Sequence, residues 1–303
     1  MDNDWCSNLE AYGQLDADVP LGKHTTLAVG GAARWWFRPE NTDALQQALP
    51  KIPDAVCVLP MGRGSNLLVS DAGFDGVVLD LGGLQQMGMN GLELHAQAGC
   101  RMSKVAQLAA QSNATGVEFM ATVPGDVGGG VAMNAGAFGQ QLSDVLLDVE
   151  VLHRDGRRET LSRQDLDMRY RWTALPRQSV VLSARLGLQA KDGSQVRQRM
   201  REMRQQRSQS QPLAQPNCGS VFKNPEGDYA ARLIEAAGMK GHCIGDAQVS
   251  EQHANFIVNH GAAKADDVWA LIQMIQEKVE QTSGVCLHTE VRLLGLNGVC
   301  DGW

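Results

Sequence analysis

The sequence predicts a globular protein of mixed helices and strands, organised in two or three domains. Its 303 residues correspond to two or three domains of roughly 100–150 residues each. Hydrophobic residues make up 43% and charged residues 20% of the chain, close to the averages of globular proteins. Short aliphatic runs that suit strands alternate along the chain with segments of helical periodicity. An ordinary soluble protein is therefore expected rather than a disordered, collagen-like or coiled-coil chain.

The charge balance argues against general nucleic-acid binding. The chain has 27 Lys and Arg against 34 Asp and Glu, a net charge of −7, whereas affinity for nucleic acid depends mainly on basic residues that neutralise phosphates. The start, Met1-Asp2-Asn3-Asp4-Trp5, lacks the features of a signal peptide, and no apolar run approaches the ~20 residues of a membrane span. We therefore expect a cytoplasmic protein without membrane insertion or a nucleic-acid partner.

The cysteines and histidines predict neither disulfides nor a metal site. The seven cysteines are odd in number, widely spread and free of any CxxC pair, which is typical of reduced thiols. His253 and His260 are seven residues apart, and no HExxH motif accompanies them. We interpret His253 as a hydrogen-bonded structural residue, and Trp35 and Trp36 as part of the core.

Caps, periodicity and glycine positions predict the elements before the basic run that begins at Arg197. Asp155-Gly156 supplies the positive φ values that a hairpin turn needs. The predicted elements are a helix with Leu45, Ala48 and Leu49 behind a cap at Asn41 or Thr42, strands at Val56–Leu59, Val77–Leu81 and Leu92–Ala96, a helix from Ser103 ended by Gly116, a hairpin of Leu147–His153 with the segment after Gly156, and a strand at Val180–Leu188.

A run of five arginines between Arg197 and Arg207 precedes a polar, proline-containing stretch, and we place a domain boundary close to residue 200. The arginines fit either a solvated helix face or the anchoring of an anionic ligand by one or two of them. The elements predicted beyond this point are a helix at Tyr229–Ala237, a strand at Asn255–Val258, a helix from Ala265 to Thr282 ended by Gly284, and a strand at His288–Leu294. For the tail Gly298–Trp303 we expect loose packing.

Two glycine-rich loops are candidates for ligand binding. The first loop is Gly62–Leu67, and the second runs from Pro124 to Gly139. Such loops suit either tight turns or the close approach of backbone N–H groups to a pyrophosphate. The first loop has Leu67 where a dinucleotide-binding fingerprint has its third glycine, and neither loop contains a P-loop motif. A Rossmann or P-loop nucleotide site is therefore disfavoured.

A third polar cluster, Asn217–Pro225, places the hydroxyl of Ser220, the ammonium of Lys223 and the amide of Asn224 within a few residues. This composition suits either a polar ligand or a capped turn. Ser220 is not in a GxSxG elbow, so a hydrolase is not indicated. Taken singly, Arg171 and Glu290 fit surface positions as well as a site.

Six motifs in one order resemble the UDP-N-acetylenolpyruvoylglucosamine reductase (MurB) family. Each is weak alone, but their order over nearly the whole chain is highly specific. They are His24-Thr25-Thr26-Leu27 with Val29-Gly30-Gly31, Gly62–Asn66, Pro124–Gly139, Tyr170-Arg171, Gly219–Pro225 and Glu290-Val291-Arg292.

The resemblance implies an α+β protein with the FAD-binding fold of the vanillyl-alcohol-oxidase (PCMH) type. In that fold two subdomains hold FAD, and a carboxy-terminal α+β domain binds the substrate. The corresponding parts of this chain are residues 1–85, 86–198 and 199–303. Some relatives attach flavin covalently through a histidine in the first loop, where this chain has Arg63 and Ser65. We therefore expect noncovalent FAD.

The reaction implied is the NADPH-dependent reduction of UDP-N-acetylglucosamine enolpyruvate to UDP-N-acetylmuramate, a step of peptidoglycan synthesis. NADPH reduces FAD and leaves, and the UDP-sugar then enters the same site. The matching catalytic residues are Arg171 as the cation that faces the substrate carboxylate, Ser220 as the proton donor and Glu290 as the acidic partner. We assign Tyr170, Lys223 and Asn224 to substrate binding. Lys223 and Asn224 are also the nearest candidates in the sequence for the neighbour that a weakly acidic serine needs, and the alternative for both is the sugar or the diphosphate.

The cofactor contacts that the resemblance implies fall on both loops. They are Gly62, Arg63, Gly64, Ser65, Asn66, Leu67, Pro124, Gly125, Val127, Gly128, Gly129, Asn134 and Gly136. The chain departs from common spellings of the family at Asp126, where Thr is frequent, and at Gly130, where Ala is frequent. Only 49 residues separate Arg171 from Ser220, which indicates the compact branch without an inserted tyrosine-bearing loop.

Two other functions remain open at this point. One is a flavin oxidase or dehydrogenase of a small hydroxy compound on the same FAD scaffold, which its own substrate would reduce. The other is a flavin-binding module without catalysis, which would be indifferent to Ser220→Ala. The sequence makes no prediction of the oligomeric state.

Overall fold

The computed structural model describes residues 4–296. The tail Gly298–Trp303 lies outside the described residues. No described helix has both the length and the apolar composition needed to cross a membrane. Among residues 4–296 no disulfide joins the cysteines, and no three His, Cys, Asp or Glu side chains form a group that would hold a metal ion.

The helices of the described residues are short, apart from two near the carboxy-terminal end. The α-helices are α1 (Asp4–Leu9), α2 (Thr42–Ala48), α3 (Met102–Gln111), α4 (Val127–Ala132), α5 (Gly193–Ser210), α6 (Ala230–Ala236) and α7 (Ala265–Ser283). The 3-10 helices are Leu21–Lys23, Leu49–Lys51, Leu81–Gly83, Glu118–Ala121 and Leu142–Asp144.

The strands are likewise short, and most belong to three sheets. They are β1 (Gly13–Pro20), β2 (Ala32–Pro39), β3 (Cys57–Met61), β4 (Leu67–Val69), β5 (Phe74–Asp80), β6 (Met87–Asn90), β7 (Glu93–Gln97), β8 (Ala114–Thr115), β9 (Gly136–Ala137), β10 (Gln140–Gln141), β11 (Leu146–His153), β12 (Arg158–Ser162), β13 (Met168–Arg169), β14 (Trp172–Thr173), β15 (Ser179–Gly187), β16 (Gln189–Ala190), β17 (Cys243–Ile244), β18 (Ala247–Val249), β19 (Ile257–Asn259) and β20 (Arg292–Leu294).

Three sheets follow one another along the chain. The first has four strands in the order β1-β2-β5-β3, with β5 parallel to both of its neighbours. The second has five strands in the order β12-β11-β15-β7-β6, all antiparallel. The third is the antiparallel β17-β18-β19. This mixture of helices with parallel and antiparallel strands is an α+β architecture.

The carboxy-terminal part of the chain returns to the first loop. Strand β20 pairs in parallel with β4, with Arg292 opposite Leu67. The buried side chain of Asn259 donates a hydrogen bond to the carbonyl of Leu27 at 3.0 Å, and Leu27 lies in one hydrophobic cluster with residues of α6 and α7. These contacts hold the third sheet and its helices against the amino-terminal part.

The core is divided among clusters that cross the sheets. One cluster lies between the second sheet and helices α3, α4 and α5. Another joins Phe37 and Val77 of the first sheet to Leu152 and Leu182 of the second, so these two sheets share buried side chains. Trp36 is 4% exposed, and its assignment to the core is confirmed.

Most predicted elements are confirmed, and two differ. The helix predicted to end at Gly116 ends at Gln111, because Asn113 adopts a left-handed φ of 53° and β8 pairs with β16. The strand predicted at His288–Leu294 is reduced to β20, because the N–H groups of Glu290 and Val291 both donate to the Val221 carbonyl. Helix α5 continues through residue 200, so the position chosen for the boundary lies inside a helix. The division at 85 and 198 stays a prediction.

Asn255 fixes the segment that carries Ser220. Its side chain accepts a hydrogen bond from the Phe222 N–H at 2.9 Å and donates one to the Phe222 carbonyl at 2.8 Å. Its own carbonyl accepts from the N–H of Val221. Asn255 is only 3% exposed. If its side chain were removed, solvent would not replace these hydrogen bonds.

We expect Asn255→Ala to lower the free energy of unfolding by about 2–4 kcal/mol, because it leaves two buried backbone groups of Phe222 without partners. The urea unfolding midpoint, followed by tryptophan fluorescence, measures the effect. Asn8→Ala on an exposed face of α1 is the control and should leave the midpoint unchanged. Equal midpoints for both variants would contradict the role of Asn255.

Candidate active site

A cavity of about 700 Å³ lies where the two glycine-rich loops meet the segment around Ser220. A second cavity, of about 370 Å³, adjoins it along Arg171 and Glu290. The predicted site residues that line the larger cavity are Gly62, Arg63, Gly64, Ser65, Asn66, Leu67, Pro124, Gly125, Gly129, Gly136, Arg171, Ser220 and Glu290.

Direct contacts hold the two loops together. The hydroxyl of Ser65 donates to the Pro124 carbonyl at 3.3 Å. Gly64 has a φ of +56°, and a Cβ there would lie 2.7 Å from the His24 carbonyl oxygen. Only glycine satisfies both constraints, so the first loop is fixed against the segment that connects β1 to β2.

Three predicted cofactor contacts lie behind the cavity wall rather than on it. The N–H groups of Val127 and Gly128 donate to the carbonyls of Cys100 and Ala98, each at 2.9 Å. Asn134 is fully buried, and its side chain bonds to Gln141, Arg169 and Ser143. These groups shape the second loop, and the two N–H groups already have partners that an anion would have to displace.

Arg171 and Glu290 form an ion pair at the junction of the two cavities. Arg171 Nε donates to Glu290 Oε1 at 2.8 Å, and an Nη donates to the carbonyl of Gly136 at 3.0 Å. The other terminal nitrogen, Nη1, has no hydrogen-bond partner among residues 4–296. One edge of the guanidinium therefore remains available to an anionic ligand.

A tight turn places Arg171 in this position. Tyr170 and Arg171 connect β13 to β14, and Arg171 adopts a left-handed φ of 57°, a strain of about 1 kcal/mol for a residue other than glycine. Both flanks of the turn are tied to the second loop, since Asn134 Nδ2 donates to the Arg169 carbonyl and the Thr173 hydroxyl donates to the Val131 carbonyl. The guanidinium lies over the Tyr170 ring at 4.9 Å.

Glu290 lies between the first loop and the Ser220 segment. Asn66 donates to its carbonyl at 3.0 Å, and its own N–H donates to the Val221 carbonyl at 2.8 Å. Burial raises the pKa of the Glu290 carboxyl, and the charges of Arg171 and Lys223 oppose that rise. Glu290 thus keeps a proton to higher pH than an ordinary glutamate does.

Ser220 is half-buried and lines the cavity. The residues before it form a turn in which Asn217 Oδ1 accepts the Gly219 N–H at 2.9 Å, and Val221 after it bonds to Asn255. Within the described chain, the Ser220 hydroxyl has no hydrogen-bond partner. Its proton is therefore available to a ligand.

The predicted substrate residues lie beside the larger cavity. Lys223 lines the smaller cavity together with Arg171 and Glu290. Tyr170 is exposed, and its hydroxyl accepts the Asn224 N–H at 3.4 Å. The side chain of Asn224 accepts the Ala230 N–H at the start of α6. Neither Tyr170 nor Asn224 lines the two cavities.

Three cavity residues were not assigned to the site from the sequence, although burial makes their chemistry unusual. Arg207 on α5 donates to Gln211 at 2.6 Å, has no carboxylate partner in the part of the chain that the structure describes, and has a pKa lowered by burial. The sequence signal for Arg207 was the basic run, for which an anion-binding interpretation remained open.

Cys218 is the second of these residues. Burial raises the pKa of its thiol, which is 1% exposed, to about 12.

Asp126, the third, opens α4 and is 5% exposed. Burial raises the pKa of its carboxyl to about 6, although Arg63 and Arg101 oppose the rise. Its Oδ1 atom is buried without a hydrogen-bond partner. In the sequence, Asp126 stands out only because Thr is frequent at this position of the second loop in the family.

The larger cavity fits a dinucleotide cofactor. Its volume of about 700 Å³ lies within the range of cofactor sites. Gly129 faces open space, with no atom within 4 Å of a Cβ built there, so the absent side chain leaves room for a ligand. A Cβ on Gly130 would instead lie 2.9 Å from Met102 Sδ, so the methionine occupies the space where an alanine methyl would lie.

Two family models match the chain. The FAD binding domain matches residues 33–162, and the UDP-N-acetylenolpyruvoylglucosamine reductase C-terminal domain matches residues 211–294. The reductase of that name from Magnetococcus marinus is 41% identical over 300 residues, which cover 97% of this chain and 96% of that protein. The chain belongs to the UDP-N-acetylenolpyruvoylglucosamine reductase family.

Other members of the family are comparably similar. The reductase of Agathobacter rectalis is 41% identical and covers 92% of this chain and 93% of its own length. The crystal structure of UDP-N-acetylenolpyruvylglucosamine reductase (MurB) from Thermus caldophilus has a TM-score of 0.82 and 34% identity, and covers 93% of this chain and 99% of that chain. The family predicted from six motifs is confirmed, and so are the α+β FAD-binding fold and FAD as the cofactor of an oxidoreductase.

We expect Gly129→Ala to weaken FAD binding about tenfold or more, because its methyl group would occupy space next to the cofactor. Alanine favours a helix over glycine, so loss of folding would not explain weaker binding. Titration of the apoprotein with FAD, followed by flavin fluorescence, measures the affinity. The control is Gly88→Ala on β6, which also meets no atom within 4 Å. Equal affinity in the two variants would contradict a cofactor at Gly129.

Proposed function

We propose that this protein reduces the enolpyruvyl ether of UDP-N-acetylglucosamine to the lactyl ether of UDP-N-acetylmuramate, with NADPH as hydride donor and noncovalent FAD as carrier, in peptidoglycan synthesis. One observation carries the proposal. The Arg171–Glu290 ion pair and the unpartnered Ser220 hydroxyl line the same cavity as both glycine-rich loops. The names of the relatives support the substrate.

Arg171 is suited to the carboxylate of the enolpyruvyl group. FAD, when bound, supplies the hydride that adds to the terminal alkene carbon. That addition moves negative charge towards the carboxylate, which becomes an enolate. The free edge of the Arg171 guanidinium offers parallel N–H donors to those oxygens, and the bonds to Glu290 and Gly136 keep the fork in place.

Glu290 stabilises the same developing negative charge. Its burial and raised pKa favour a protonated carboxyl once a substrate carboxylate competes for Arg171. A protonated Glu290 donates a hydrogen bond to the developing enolate, which a carboxylate would repel.

Ser220 delivers the proton to the carbon next to the ether oxygen. A serine hydroxyl is a weak acid, so this role requires a strongly basic acceptor, and the enolate carbon is one. The fixed turn before Ser220 and the Asn255 anchor after it hold the hydroxyl with no competing acceptor. Transfer of its proton completes the reduction.

Lys223 places a cation in the wall of the smaller cavity, beside Arg171 and Glu290, which suits a diphosphate or a sugar hydroxyl. Tyr170 adjoins Arg171 in the chain and accepts the Asn224 N–H. We assign these three residues to the UDP-sugar and the protein to the cytoplasm, where NADPH and nucleotide sugars are available. The acidic charge balance supports the absence of a nucleic-acid partner.

We expect Ser220→Ala to retain reduction of the flavin by NADPH but to slow its reoxidation by UDP-N-acetylglucosamine enolpyruvate by about 10²–10⁴-fold, the usual contribution of a general acid. Anaerobic stopped-flow absorbance separates the two half-reactions. The exposed Ser208→Ala on α5 is the control and should behave as wild type. Normal reoxidation in Ser220→Ala would remove Ser220 from the mechanism.

We expect Arg171→Lys to slow the same half-reaction by about 10- to 100-fold, because lysine keeps the charge but loses a charged, bidentate hydrogen bond. Flavin reduction by NADPH should change little. Single-turnover rates at several nucleotide concentrations separate weaker binding from slower chemistry. A wild-type rate would show that charge alone suffices and that the fork is not used.

A further inference from the structure

Asp126 is a buried acid that the proposed mechanism does not use. It lines the larger cavity at the end where the first and second loops meet. The groups that face it are Arg63 of the first loop, Arg101 before α3, Asp80 at the end of β5, and the thiol of Cys100. No salt bridge joins Asp126 to either arginine among residues 4–296.

The position of the carboxyl group is fixed on one side. A Cβ on Gly62 would lie 2.7 Å from Asp126 Oδ2, so the carboxylate packs against the backbone of the first loop. Its other oxygen, Oδ1, is buried and has no partner. A buried carboxylate with an unpartnered oxygen is costly, and a ligand donor that reaches the carboxylate from the cavity would lower that cost.

FAD offers two kinds of polar group to the loops, phosphates and hydroxyls. A phosphate has acceptors only, and would repel an ionised carboxylate. A hydroxyl donates to it. The nearest backbone N–H groups, those of Val127 and Gly128, are already bonded to carbonyls, which weakens the case for a phosphate beside Asp126 and favours a hydroxyl.

We propose that the Asp126 carboxylate accepts a hydrogen bond from a sugar or ribityl hydroxyl of FAD on the cavity side, and so makes FAD retention dependent on its ionised state. The inference rests on the proposed function, because it requires FAD in this cavity. Protonation of Asp126 removes the charged acceptor, so acid weakens binding. With a pKa of about 6, the change falls within the pH range in which the protein can be studied.

The direction of the pH dependence follows from the linkage between FAD binding and ionisation of Asp126. A bound hydroxyl donor stabilises the ionised form and lowers the pKa of Asp126 in the complex, so FAD binds more tightly above the pKa of the free protein and more weakly below it. For the wild type we expect about tenfold weaker binding at pH 5 than at pH 8. The diphosphate of FAD does not titrate in this range.

The test is titration of the apoprotein with FAD from pH 5 to pH 8, read by flavin fluorescence. Asp126→Asn keeps an acceptor without titrating, and should bind FAD at all pH values with a flat profile. Asp126→Ala should bind about 10- to 100-fold more weakly at pH 8, as expected for loss of a hydrogen bond to a charged group. Asp75→Asn removes an exposed carboxylate, and its FAD affinity should depend on pH as that of the wild type does. Glu290 is present in both the wild type and Asp126→Asn, so a difference between their pH profiles is due to Asp126.

Competition by FMN and by ADP, in wild type and Asp126→Ala, distinguishes the ribityl hydroxyls from those of the adenosine ribose. Weaker competition by one of them in Asp126→Ala identifies the donor. The proposal is overturned if neither competitor is affected, if acid tightens FAD binding, or if Asp126→Ala binds like the wild type. A wild-type protein that binds no FAD at any pH would instead overturn the proposed function.

Discussion

The backbone pairing around Glu290 is the constraint on which the site depends. Asn66 donates to the Glu290 carbonyl and accepts from the Arg292 N–H, while Val221 accepts from the N–H groups of Glu290 and Val291. Three segments that are far apart in the sequence are thereby joined within a few residues. Because β20 then continues in register with β4, the position of the Glu290 side chain is set by main-chain bonds rather than by its own contacts. The ion pair adds Arg171 and its turn to the same assembly, and the Arg171 bond to the Gly136 carbonyl adds the second loop.

Packing at the second loop explains why its glycines are not equivalent. Gly128 lies against Ala98 and Gly130 against Met102, whereas Gly129 faces the cavity. One turn of helix thus uses one glycine to approach Ala98 after β7, one to approach Met102 of α3, and one to admit a ligand. The anion-binding role that glycine-rich loops suggest is limited here by the carbonyls of Cys100 and Ala98, which already accept the first N–H groups of the turn.

Local signals were sufficient for most of the fold. The Asn41 cap, the Asp155-Gly156 turn and the Gly284 stop predicted helices and a hairpin close to their positions, because each acts through neighbouring residues. The end of α3 and the length of β20 were missed, since both are decided by pairing with distant segments. The site likewise has features that the sequence predicts and features that depend on distant segments. The motif order predicted that Arg171, Ser220 and Glu290 belong to one site, but the roles of Asp126 and Arg207 depend on burial, which a single sequence does not show.

Cys218 has a consequence for compounds directed at this cavity. It is the cysteine placed in the cavity wall, yet burial raises its pKa to about 12, so almost none of it is thiolate at neutral pH. Since the thiolate is the reactive form, Cys218 should react slowly with alkylating agents and mild oxidants. A covalent inhibitor of the site would therefore have to react with a nucleophile other than Cys218.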